Sequence, residues 1–177
     1  KILNRMNRTY TKKKYLKLVD KIKKYIPNCS ISTDIIVGFP GETENDFKET
    51  LEVVRSVQFN FSYMFKYSSR PGTKAAQFSD QISENLKQKR LEHLISLQKD
   101  ITLKVNQRKI GTIENVLIEK ESKRSELFWA GRTEGNTWVI IKKGSENIKD
   151  VVPVIINDAQ GVTLFGSNFK EKEKMHE

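Results

Sequence analysis

Apolar residues recur at helical spacing in three segments of the first part of the chain. Thr11 and Pro27 bracket the first segment as an N-cap and a stop. Thr43 and Asp46 resemble a capping box at the start of the second. The pattern therefore predicts three helices, of which the first is coated with lysine. Their approximate ranges are 11–26, 43–57 and 83–108.

Two further segments between these helices have the pattern of β-strands. Residues 30–38 combine Ile31, Ile35, Ile36 and Val37 with serine and threonine, as in a buried strand. Residues 59–67, FNFSYMFKY, alternate strictly between aromatic and other side chains. Helix, strand, helix, strand, helix predicts a parallel sheet wrapped by helices, in a layered α/β fold or an α/β barrel.

The pattern changes at Gly111, after which five short strand-like segments follow at close spacing. Charged or turn-rich stretches separate them. Five strands in this span predict a small antiparallel barrel of the kind that binds oligonucleotides. We therefore expect an α/β domain at 1–108, an all-β domain at 109–168 and a charged tail at 169–177.

The net positive charge of the chain indicates which kind of partner it binds. The 177 residues carry 32 Lys and Arg against 22 Asp and Glu, a net charge of +10, which favours a polyanion such as RNA, although a lysine-rich solvated surface is the alternative. The single cysteine excludes an internal disulfide framework and fits a reducing cytoplasm. No apolar run approaches transmembrane length, no signal peptide opens the chain, and it starts at Lys1 without Met, so we expect a cytoplasmic piece of a larger protein.

The glycine-rich turn Gly38-Phe39-Pro40-Gly41 is the first candidate site. It follows a predicted parallel strand and precedes a helix, which is where α/β folds place ligands. The alternative is a tight turn with no ligand. The loop SSRPGTKAA at 68–76 follows the second strand in the same way, which makes Arg70 a substrate-side candidate.

Arginines near the start of the chain form a second candidate. Arg5 and Arg8 flank an asparagine at the end of what we interpret as a strand, and a guanidinium group suits a carboxylate or a phosphate. A solvated basic end is the alternative.

The predicted barrel interleaves basic and aromatic residues between 120 and 138. Basic groups neutralise phosphates, and aromatic rings stack on splayed bases. The candidates for RNA contact are Lys120, Lys123, Arg124, Trp129 and Arg132, with Phe128 and Trp138 nearby. Core packing is the alternative for the two tryptophans. No residue spacing suggests a metal site.

Several motifs occur together in the order of a known family. RMNRTYT, STDIIVGFPGET, YSSRPGTKAA, NQRKIG and GRTEGN resemble the radical S-adenosylmethionine (SAM) tRNA methylthiotransferases, the MiaB type in particular. The resemblance implies the last part of a radical SAM barrel followed by a TRAM domain that binds the tRNA anticodon stem-loop, with Asn136 of GRTEGN on the RNA side.

The resemblance also implies a cofactor set. The whole enzyme uses SAM and two [4Fe-4S] clusters to methylthiolate C2 of N6-isopentenyladenosine beside the anticodon. The implied SAM-side residues are Asp34, Ile36, Gly38, Phe39, Pro40 and one of Arg5 and Arg8. Cys29 stands alone, whereas a cluster needs several thiolates, so we expect this chain to hold no cluster and to be inactive by itself.

Other functions stay open at this point. The chain is alternatively a stand-alone RNA-binding module or an unrelated α/β enzyme that binds a nucleotide or phosphate. A partial α/β barrel also exposes sheet edges, which predicts self-association.

Overall fold

The computed structural model describes residues 1–169, so the predicted tail lies outside the described residues except for its first position. The chain divides into two compact units, Lys1–Ile101 and a second that begins at Thr102. No helix within residues 1–169 is long and apolar enough to cross a membrane.

The first unit has the predicted α/β order. Its elements are α1 (Ile2–Arg5), α2 (Lys12–Tyr25), β1 (Ser32–Val37), α3 (Glu44–Val57), β2 (Phe61–Lys66), a 3-10 turn (Lys74–Gln77) and the start of α4 (Glu84–Gln107). Thr11 caps α2, and Thr43 and Asp46 close both hydrogen bonds of a capping box on α3, as the sequence predicts. The predicted strand around Arg5 is wrong, because Ile2–Arg5 forms a helical turn.

The sheet of the first unit consists of β1 and β2 in parallel. Successive side chains of a strand point to opposite faces, and here only one face is covered by the helices. Val37 and Ser62 lie on the covered face, with 0% and 2% of their surface exposed. The aromatic face of β2 is the open one. The exposed apolar residues on this side of the sheet are Ile36 of β1 and Phe61, Tyr63 and Phe65 of β2.

The second unit is a closed five-stranded barrel, as predicted. Its strands are β3 (Ile113–Ser122), β4 (Ser125–Thr133), β5 (Trp138–Lys142), β6 (Val151–Gln160) and β7 (Thr163–Asn168). The order around the barrel is β3-β4-β5-β7-β6, and all pairs are antiparallel except β5 and β7. This fits an oligonucleotide-binding fold, in which the second and third strands and the first hairpin turn commonly contact the ligand.

The barrel interior is filled by aliphatic side chains. The largest fully buried residues there are Ile118, Ile141, Ile156 and Leu164. Buried residues alternate along single strands, as Val116 and Ile118 do on β3 and Val139 and Ile141 on β5, so the intervening side chains point outward. The outward positions of β4 and β5 are therefore available to a ligand.

Candidate cofactor cleft and RNA-contact face

A cleft lies at the carboxyl ends of β1 and β2. It has two adjoining parts of about 450 and 500 Å³, both lined by Met6, Phe39 and Ala75. Arg5 and Lys74 line the first part, and Ile36, Phe65, Tyr67 and Arg70 line the second. The volumes fall within the usual range for a small-molecule site. We call this the carboxyl-end cleft.

The glycine-rich turn is held from beneath by a buried ion pair. The Glu42 carboxylate accepts hydrogen bonds from the Gly38 N–H at 3.0 Å and from Arg90 Nη1 at 2.8 Å. Arg90 Nη1 also donates to the Glu42 carbonyl oxygen at 3.0 Å. Glu42 and Arg90 are only 6% and 4% exposed. The turn is therefore anchored to α4 by groups that do not face the cleft.

Burial has the largest effect on the protonation of Glu42. It raises the pKa of this carboxyl group, and the Gly38 N–H and Arg90 offset the rise only in part. A carboxylate remains charged in such a buried position only when its partners compensate for the lost hydration. Glu42 is thus a supporting residue of the turn.

The start of α3 does not offer a phosphate cradle. The Thr43 hydroxyl accepts the Asp46 N–H at 3.2 Å, and the Asp46 carboxylate accepts the Thr43 N–H at 2.9 Å. These bonds occupy donors that a phosphate would use, and Glu44 adds a second negative charge to the first turn. The geometry disfavours an anion at this helix end.

Arg5 is engaged within the unit. Its two terminal nitrogens donate to both Asp80 oxygens at 2.6 and 2.7 Å. Its guanidinium carbon lies 4.4 Å from the centre of the Phe78 ring. Gly41 has φ +77°, and a Cβ there would collide with Arg5 and Asp80. This arginine therefore closes one end of the cleft with its hydrogen-bonding fork already paired.

Aromatic side chains form the floor of the cleft. Phe39 is 5% exposed and packs edge to face with Tyr67, at 5.1 Å between ring centres. Lys87 Nζ lies 5.3 Å from the centre of the Tyr67 ring. The Tyr67 hydroxyl is buried and has no hydrogen-bond partner within the described chain. An aromatic floor suits a ligand that has a flat ring.

The other predicted SAM-side residues fall in two groups. Gly38 and Pro40 are buried in the turn and do not line the cleft. Asp34 and Arg8 are exposed and also lie outside its lining. Of the predicted set, Arg5, Ile36 and Phe39 are the residues that the structure brings together there.

The barrel brings several predicted RNA-contact residues to one outward face. Arg132 on β4 pairs with Trp138 on β5, and its guanidinium carbon lies 4.2 Å from the Trp138 ring centre. Lys120 Nζ lies 4.6 Å from the same ring. Arg132 also donates to Asn136 and lies 3.5 Å from Glu119. We call Lys120, Arg132, Asn136 and Trp138 the tryptophan face.

The remaining predicted RNA residues lie in two other places. Lys123 and Arg124 are exposed in the turn between β3 and β4. Trp129 packs against the barrel core, its ring 4.3 Å from Lys143 Nζ, and its indole nitrogen has no partner within the described residues. The packing favours a structural role for Trp129 and leaves Trp138 as the tryptophan on the outward face.

Sequence reasoning missed the residues that support the cleft. These residues are Glu42, Asp80, Lys87 and Arg90. Arg5 pairs with Asp80 and Glu42 with Arg90 far along the chain, so no local motif indicates these two pairs. Lys87 instead pairs with Glu84, three residues before it. For Lys87 and Arg90 the signal was a charge within an otherwise apolar face of α4, as at Arg90 beside Leu94. No group of three or more His, Cys, Asp or Glu side chains within residues 1–169 could hold a metal ion.

Comparisons with known proteins match both units. Residues 1–54 match the model of the Radical SAM superfamily, and residues 107–168 match that of the TRAM domain. These matches and the fold define the class: a radical SAM α/β region followed by a TRAM barrel.

Within that class, the chain is similar to several proteins that share one name. It is 46% identical to a tRNA-2-methylthio-N(6)-dimethylallyladenosine synthase of Christiangramia forsetii and 48% identical to that of Caldicellulosiruptor saccharolyticus. It is 43% identical to the protein of the same name from Pelotomaculum thermopropionicum. Each comparison covers 94% of this chain but only 35–37% of the relative, so the chain spans just over a third of their length.

Proposed function

We propose that this chain is the part of a tRNA methylthiotransferase that supplies one wall of the SAM pocket and the tRNA-binding barrel. The observation that carries the proposal is the identity of 43–48% across both units to proteins named for that activity. The anticodon stem-loop is the proposed RNA ligand and the cytoplasm the proposed location.

The carboxyl-end cleft fits part of SAM. Ile36 and Phe39 would pack against the adenine ring. Arg5 would bound the site without binding the cofactor's carboxylate directly, because Asp80 already occupies its fork. When bound, SAM supplies the radical chemistry and the methyl group of methylthiolation.

The residues present do not fit an iron–sulfur cluster. The sequence has one cysteine, Cys29, whereas such clusters are held by several thiolates. Any cluster of the whole enzyme must take its ligands from elsewhere. We therefore expect the isolated chain to show no methylthio transfer, and mass spectrometry of nucleosides from a treated tRNA would reveal any product that contradicts this.

RNA binding is the activity that this chain can show alone. Fluorescence anisotropy with a labelled anticodon stem-loop should give salt-sensitive binding, because lysine and arginine displace counterions from phosphates. Neutralising Lys123, Arg124 and Arg132 to Gln should weaken that binding at least tenfold, whereas the matched control K48Q/K99Q/K104Q should change it less than threefold. Equal losses in both variants would contradict a barrel-centred site.

Cofactor binding separates the proposal from an unrelated phosphate-binding enzyme. Calorimetry with S-adenosylhomocysteine should show heat that Phe39→Ala removes, while inorganic phosphate should show none. Binding of phosphate or sugar phosphates with no effect of RNA would favour the alternative. The two-stranded sheet also has free edges, so we propose self-association at high concentration, which a single monomeric species in sedimentation velocity would contradict.

A further inference from the structure

The charge of this chain is concentrated in one helix. The 14 residues of α2, KKKYLKLVDKIKKY, include seven lysines and one aspartate, a net charge of +6 out of +10 for the whole chain. The described part of the second unit, 102–169, holds ten basic and eight acidic residues, a net charge of only +2. The barrel proposed to bind RNA is thus nearly neutral, and most of the positive charge lies elsewhere.

Two lysines of α2 have structural partners. Lys12 forms an ion pair with Glu52 at 2.8 Å, and Lys23 donates to the Val57 carbonyl oxygen at 2.6 Å. These bonds hold α2 against α3. The charge of both lysines is therefore used inside the unit.

The other five lysines are exposed and point the same way. At 100° per residue they fall within an arc of roughly 100° on the helix. None of them forms an ion pair within the described residues, and only Asp20 lies beside them on that side. We call these residues the lysine face. They are Lys13, Lys14, Lys17, Lys21 and Lys24.

The neighbouring helix α3 does not carry a similar cluster of positive charge. Its sequence ENDFKETLEVVRSV has four acidic and two basic residues, so its exposed side is mixed and slightly negative. Five unpaired like charges on one side of a helix repel one another, which costs stability unless an anion neutralises them. The lysine face therefore calls for a polyanionic partner.

We propose that the lysine face is a second RNA-contact surface, which binds the phosphate backbone of a double-stranded stem of the same tRNA. This rests on the proposed function. Lys13 to Lys24 spans about 16 Å along the helix axis, long enough to lie beside several phosphates of a duplex. Lysine is a point charge without a fixed fork, so the surface binds the backbone irrespective of base sequence.

The test compares two variants of equal charge. K13Q/K17Q/K21Q/K24Q removes four lysines from the face, and K48Q/K89Q/K99Q/K104Q removes four exposed lysines from α3 and α4. Glutamine keeps helix propensity close to that of lysine, and circular dichroism checks that both variants fold. Binding of unmodified full-length tRNA is measured by anisotropy at several salt concentrations.

The face variant should bind tRNA at least tenfold more weakly than wild type, with a salt slope smaller by roughly 3, since each phosphate contact contributes about 0.9. The control variant should lose less than threefold. Binding of an isolated single-stranded anticodon loop should be unaffected in the face variant, because the loop lacks the stem that the face contacts.

Three results would overturn the inference. The first is an equal loss in both variants, which would mean that only net charge matters. The second is unchanged tRNA binding in the face variant while K123Q/R124Q/R132Q loses it, which would leave the proposed function intact. The third concerns a membrane partner, because exposed Leu18 and Tyr25 flank the face. Here wild type binds vesicles of anionic lipid, and the face variant loses vesicle binding while its tRNA affinity is unchanged. Absence of any tRNA binding by wild type would instead contradict the proposed function itself.

Discussion

Charged residues serve opposite purposes in the cleft of the first unit and on the tryptophan face of the second. Around the cleft, Arg5 is paired with Asp80 and Arg90 with Glu42, and neither guanidinium is free for a ligand. On the barrel, Arg132 lies over an aromatic ring, and Lys123 and Arg124 are exposed in the turn between β3 and β4. The first arrangement fixes the shape of the cleft, and the second places positive charge on the outer surface of the barrel.

The residue type alone therefore does not determine whether a charged side chain supports the fold or binds a ligand. An arginine that donates to both oxygens of one carboxylate has its fork occupied. Arg132, with one hydrogen bond to Asn136 and a 3.5 Å contact to Glu119, is only partly engaged and keeps further donors. Mutations around the cleft should therefore act first on folding. Mutations on the barrel face should act first on RNA affinity.

The largest expected effect is at the buried pair beneath the turn. Glu42→Gln removes the charge that faces Arg90, and breaking a buried pair from one side costs roughly 3–5 kcal/mol of unfolding free energy. The matched control is Glu44→Gln, since exposed Glu44 lies 3.6 Å from the same arginine and should cost less than about 1 kcal/mol. Urea unfolding measures both. Similar costs for the two would show that burial does not set the strength of this pair.

The next effect is at the first glycine of the turn. Gly38 has φ +74°, and a Cβ there would come within 2.5 Å of Lys87 Cγ on α4. Gly38→Ala should cost about 2–4 kcal/mol, combining left-handed strain with overpacking. Gly72 has φ +80° with no atom within 4 Å of such a Cβ, so Gly72→Ala should show the strain alone, about 1–2 kcal/mol. Equal losses would mean that the contact with α4 is unimportant.

The two tryptophans separate folding from binding within the barrel. Trp138→Leu removes the ring that positions Lys120 and Arg132. Losing the order of one such cation, at about 0.5–1 kcal/mol, should lower stem-loop affinity about two- to fivefold. Trp129→Leu should instead lower the unfolding midpoint, with affinity within twofold of wild type, because its ring packs on the core. A large affinity loss from Trp129→Leu alone would reverse this assignment.

Much of the fold follows from local pattern. Features that depend only on neighbours in sequence could be predicted. They are the helix caps at Thr11 and Thr43, the glycine-rich turn and the five short strands. The helix at Ile2–Arg5 was missed because four residues carry too little periodicity to distinguish a turn from a strand end.

The site was harder to predict than the fold. Arg5 finds Asp80, and Glu42 finds Arg90, only after the chain has folded, since 75 and 48 residues separate the partners. Trp129 could not be assigned to core or surface because register shifts interrupt the pairing of its strand with β3 on both sides of it. Alternation alone does not say which face of a strand is buried, and the aromatic side of β2 is exposed.

The smallest expected effect is a pH dependence at the edge of the cleft. The hydrogen bonds from Arg5 lower the pKa of Asp80 below its usual 3.8, so the charged form is favoured in the folded state. The pair therefore adds to the free energy of unfolding at pH values above the ordinary pKa of Asp80. This contribution is lost as the pH falls through the lowered pKa that Asp80 has in the folded state. Urea midpoints between about pH 2 and 5 should show a steeper loss for wild type than for Asp80→Asn. Asp100→Asn, at an exposed residue with no ion pair in the described chain, should follow the wild-type curve. Identical curves for wild type and Asp80→Asn would mean that Arg5 is held by the Phe78 ring and not by the carboxylate.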